Sequence, residues 1–147
     1  MIIHRIESQH KYNKEQRSTV ISFNDCGLIH AKKNWLHKKR FLEKYELIYV
    51  TEGSLHLYID NAQVTLAEDD LIVIAPYKTI GGFKKSSTPT AFFWADFITD
   101  DAEHFGISTK QIHINQPDKI RALLEDLMSA SQQKNINDYT LDSFLLF

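Results

Sequence analysis

Glu46 stands in the run YELIYV, residues 45–50, between Tyr45 and Leu47. A carboxylate in an apolar strand is costly to bury unless something pairs it. Three chemistries are open to it: metal ligation, service in a polar pocket, or an edge position in water. Lys38 and Arg40 precede it and could supply the donors that an inward carboxylate needs. Zinc and transition-metal sites usually take at least about three protein ligands, with His the commonest nitrogen donor. The seven histidines, at 4, 10, 30, 37, 56, 104 and 113, show no H-x-H or H-x-x-x-H spacing and read as surface residues. No metal site, cofactor or catalytic residue is expected.

The elements that must position Glu46 are short. Candidate strands are STVISF (18–23), YELIYV (45–50), SLHLYID (54–60), AQVTL (62–66), DLIVIA (70–75), TAFFWADF (90–97) and QIHI (111–114). TEG, IDN, AEDD, PYKTIGG and KKSSTP separate them as turns. In SLHLYI, Leu55, Leu57 and Ile59 alternate with His56 and Tyr58. In TAFFWADF, Phe92, Trp94 and Asp96 share one face. Many short strands without crossover helices predict a small sandwich or barrel and disfavour a Rossmann-like sheet. After residue 115 the period turns helical. Pro117 suits a first helical turn, and Ile120, Leu123, Leu124, Leu127 and Met128 form one stripe. Asn137 or Asp138 can cap a second helix through Leu141, Phe144 and Leu145. The expected organisation is mainly β: a barrel over residues 1–114, then a helical segment over 115–147.

A chain of 147 residues suits one domain, and 43% hydrophobic residues suit a globular one. A net charge of −2 gives no basic field for tight nucleic-acid binding by this chain alone. The single cysteine, Cys26, excludes an intrachain disulfide and fits a reducing cytoplasm. No apolar run approaches a membrane span, and the first residues are too polar for a signal peptide. A cytoplasmic location without a membrane partner is expected. The apolar finish Phe144-Leu145-Leu146-Phe147 reads as a chain cut inside a helix, or as a surface that meets a partner.

YELIYVTEG, SLHLYIDN, VTLAEDDLIVIAP and FFWADF, in that order, resemble the sensor domain of AraC-type transcriptional regulators, over roughly residues 18–147. The resemblance implies a cupin-like jelly-roll barrel followed by two C-terminal helices. It also implies a small-molecule effector in the barrel, a sugar among the candidates, and homodimerisation through the helices. DNA would be bound only through a helix-turn-helix domain outside this chain.

Cupin enzymes are similar in a His-x-His pair, a Glu and a Gly seven residues after it, then a Pro followed by a His. Glu46, Gly53 and Pro76 fit that pattern, but KKRFL at 38–42 and Thr79-Ile80-Gly81-Gly82 lack the histidines. A stand-alone metal-dependent cupin enzyme is therefore the alternative rather than the main reading. By the resemblance Glu46 and Ile48 point inward, and Trp94 lies in the barrel, where it either stacks on a ligand or fills the core. The candidate ligand-binding set is Lys38, Arg40, Glu46, Ile48, Phe83, Phe92 and Trp94, with Phe83 closing one mouth. Trp35 and His37 form either an arm over the mouth or an anchored loop. The candidate dimerisation set is the stripe Ile120, Leu123, Leu124, Leu127 and Met128, less whatever part packs on the barrel.

Overall fold

YELIYV becomes an inner strand of a sheet, with Tyr45–Glu52 hydrogen-bonded to a neighbour on each side. The computed structural model describes residues 20–132. Nine strands occur among them: β1 (Ile21–Ala31), β2 (Arg40–Phe41), β3 (Tyr45–Glu52), β4 (Ser54–Ile59), β5 (Ala62–Ala67), β6 (Asp70–Ile74), β7 (Thr79–Gly82), β8 (Thr90–Thr99) and β9 (Ile112–His113). One helix follows, α1 (Pro117–Gln132). The strands form two antiparallel sheets, ordered β1-β8-β3-β6-β9 and β2-β7-β4-β5. This is the expected mainly β, cupin-like arrangement. The second helix expected over 137–145 lies outside the described residues. No helix among the described residues is long and apolar enough to cross a membrane.

Alternation sorts the core into two layers. Ile48, Val50, Ile72, Ile74 and Phe92 meet Leu55, Leu57, Leu66 and Ile80 between the sheets. Leu47, Tyr49, Val73, Phe93, Ala95 and Phe97 point the other way, where Ile120, Leu124 and Leu127 of α1 cover them. This cover explains why β3 is buried on both faces over residues 46–50. Three residues of the predicted helical stripe are thus core of the chain itself. Leu123 and Met128 are half-buried at the margin of the same cluster.

Two stretches depart from the sequence reading, for related reasons. The strand expected over 18–23 is longer: β1 continues through Asn24-Asp25-Cys26-Gly27 to Ala31. The long partner β8 supplies the pairing, and a bulge between Phe23 and Asp25 absorbs the irregularity. Gly27 is required there, since a Cβ would lie 2.7 Å from Trp94 Nε1. Thr79-Ile80-Gly81-Gly82 reads as a turn but is strand β7, paired to both β2 and β4. A Cβ on Gly81 would run into the Tyr58 hydroxyl, so the glycine serves close approach of the two strands.

Candidate functional site

Glu46 is 1% exposed and faces the space between the sheets. Its partner comes from the opposite sheet. Arg40, on β2, donates from Nη2 to both carboxylate oxygens, at 2.6 Å and 2.7 Å. The edge-in-water reading is thereby excluded, and the pair ties the two sheets together at one end. Burial raises the Glu46 pKa, the Arg40 hydrogen bond and charge oppose that rise, and Asp96 adds to it. The net direction is upward, so the cost of desolvation outweighs the pair.

The pair sits in the wall of an open cavity of about 270 Å³. β3 and β8 contribute Ile48, Phe92 and Trp94, which share the inner face because Ile48 pairs with Trp94 and Val50 with Phe92. β1 contributes Ile29, and the segment before β2 contributes Trp35, His37 and Lys38. That segment is pinned, not loose. Asn34 N donates to Ser86 O, Ser86 N to Trp35 O, and Gly82 N to His37 O. Trp35 packs edge-on to His37, with centroids 5.4 Å apart, and lies 5.6 Å from Phe92. His37 is buried and donates from Nδ1 to the Lys38 carbonyl at 2.9 Å. Burial depresses its pKa, the Lys38 carbonyl opposes this, and the Arg40 charge reinforces it. The neutral tautomer bonded in this way leaves the Nε2 lone pair as an acceptor.

Six of the seven residues expected to form the pocket, Lys38, Arg40, Glu46, Ile48, Phe92 and Trp94, line this one cavity. Phe83 does not. Gly82 pairs with buried Leu57, so Phe83 falls on the outer face, where it packs against His56 at 5.8 Å. The sequence reading missed Ile29, because β1 was ended at Phe23, and left Trp35 and His37 open. The one signal for those two was an aromatic residue and a histidine inside the basic stretch KKNWLHKKR.

A second cleft of about 390 Å³ is lined by Ile59, Val64, Ile72 and Ile74, with Lys78, Thr109 and Gln111 among its polar residues. It is larger but has neither aromatic rings nor a buried charge. The first cavity combines an apolar wall with a few placed polar groups, the usual composition of a small-molecule site. Among the described residues no three His, Cys, Asp or Glu side chains converge in a way that could hold a metal ion.

The family model for the AraC-like ligand binding domain matches residues 26–146. Among solved structures, the chain is similar to an RmlC-like cupin from Shewanella frigidimarina, at 16% identity and a TM-score of 0.47. That match covers 56% of this chain and 71% of the other. The EutQ protein of Clostridium difficile matches at 22% identity and a TM-score of 0.42, covering 56% of this chain and 66% of that one. A mutant oxalate decarboxylase from Bacillus subtilis matches at 12% identity and a TM-score of 0.45, covering 57% of this chain and 29% of that one. A search of curated protein sequences gave no match. With 26–146 of its 147 residues matched, the chain belongs to the AraC-like ligand binding domain family.

Proposed function

We propose that this chain is the effector-sensing and dimerising part of a bacterial AraC-type transcription regulator. A small metabolite enters the cavity between the sheets and contacts Trp35, Trp94 and the Arg40–Glu46 pair. A sugar is the effector class that the resemblance brings. Occupancy favours one arrangement of the barrel against its helical segment, and a DNA-binding domain outside this sequence responds by a population shift. Leu123 and Met128, which the core leaves half-buried, contribute to a two-fold contact with a second copy.

The observation that carries this reading is the cavity itself: open, aromatic-walled, and holding a buried carboxylate whose partner crosses from the other sheet. A thermal-shift screen against sugars, other small metabolites and divalent metals tests it. Binding to the folded state alone raises the melting midpoint by mass action. A midpoint raised by one metabolite class, and lost in Trp94→Ala, is the expected result. A stoichiometric metal that raises the midpoint on its own would favour the cupin-enzyme reading instead.

A further inference from the structure

The charges that line the cavity itself do not balance. Lys38 and Arg40 stand against one carboxylate, Glu46, and His37 lines the wall as a neutral ring. Lys38 makes no ion pair among the described residues. Arg40 spends only Nη2 on Glu46, and its Nε and Nη1 have no hydrogen-bond partner among the described residues. Its side chain is 43% exposed, so these donors are reachable. The adjoining polar recess is lined by Glu43, Lys44 and Asp96, of which Asp96 already accepts from Asn24 Nδ2 and from Asp25 N, so the excess of cations belongs to the cavity lining alone. Nε and Nη1 lie on different edges of the guanidinium, each shared with the occupied Nη2, so each can give a ligand carboxylate a single charge-assisted hydrogen bond. The rest of the wall is apolar: Trp35, Phe92, Trp94, Ile29 and Ile48.

We infer that the ligand class of this cavity is a small monocarboxylate with a compact, ring-sized apolar body, rather than a neutral polyol. The carboxylate would accept from a free N–H of Arg40, with Lys38 at the mouth. The body would lie among Trp35, Phe92 and Trp94. A neutral sugar would press its hydroxyls on aromatic and aliphatic walls, where few partners exist. This inference rests on the cavity being the effector site, as proposed above.

The chain has two tryptophans, and both line the cavity, so intrinsic fluorescence reports on this site directly. The test titrates the protein with benzoate, phenylacetate and cyclohexanecarboxylate, each beside its neutral amide, and with glucose and arabinose. At least one acid is expected to change the emission saturably and to bind at least about tenfold tighter than its amide, as a charge-assisted hydrogen bond implies. Lys38→Met, which breaks no ion pair among the described residues, is expected to weaken the acid and leave the amide unchanged, with an unaltered melting midpoint. Equal binding of acid and amide, or binding of a sugar alone, would overturn the charge argument while the cavity remains the effector site. No change with any of these compounds would overturn the inference. If the wider metabolite screen also gave no shift, the sensing function would fall with it.

Discussion

At the scale of single residues, Glu46 and His37 are two buried titratable groups with opposite consequences. The folded-state pKa of Glu46 is raised, chiefly by burial. Its contribution to stability is therefore full below the usual carboxylate pKa and is lost as pH rises through the folded value. The His37 pKa is lowered, again chiefly by burial. Its contribution is present above the usual imidazole pKa and is lost as pH falls through the folded value. Denaturant midpoints across the acid range should separate the two. Glu46→Gln is expected to remove the first slope, and His37→Gln the second. Unchanged profiles in both variants would mean that neither group titrates differently in the folded and unfolded states. Arg40→Ala removes the partner of a buried carboxylate and is expected to cost about 1–3 kcal/mol near neutral pH. That cost should shrink on acidification, as Glu46 takes up a proton. It should also shrink in Arg40→Ala/Glu46→Gln, which a double-mutant cycle would measure.

At the scale of elements, β3 links the cavity to the helix because its two faces do different work. Ile48 lines the cavity, while the Tyr49 hydroxyl, on the other face, donates to Asp69. Arg121 of α1 reaches the same place, donating to Asp69 at 3.1 Å and to Thr51 O at 3.1 Å. Burial and the bond to Asp69 push the Tyr49 pKa up to about 12, which keeps its proton in place as a donor. The barrel wall and the helix thus share one strand. The helix itself is held mainly by apolar packing. Leu127 is fully buried, so Leu127→Ala should cost about 2–5 kcal/mol by denaturant unfolding. Leu123 is only half-buried, and Leu123→Asp should cost less while weakening the proposed two-fold contact. Sedimentation of that variant should give a monomer that still binds ligand. A dimer of unchanged strength would remove Leu123 from the contact.

At the scale of the whole molecule, the layer order was largely legible and the cavity only in part. Alternation in TAFFWADF put Phe92 and Trp94 on one face, and that face does line the cavity. The 3.6-residue stripe located α1, but periodicity records which residues are buried and not against what. It could not tell core from seam for Ile120, Leu124 and Leu127. Long-range pairing was the illegible component. Nothing local to Asn24-Asp25-Cys26-Gly27 says that β8 will carry the strand through to Ile29. Nothing local to Trp35 and His37 says that Gly82 and Ser86 will pin them over the cavity. A donor for Glu46 was expected from Lys38 or Arg40, because a buried carboxylate demands one whatever the fold, and Arg40 is the one that supplies it.

The most direct measurement is a crystal structure of the chain with the ligand that most raises its melting midpoint. That ligand is expected between Trp35 and Trp94, with its polar group against Arg40 and the Arg40–Glu46 pair intact. Ligand density confined to the aliphatic cleft beside Ile59 and Val64, with the aromatic cavity closed by its own side chains, would contradict it.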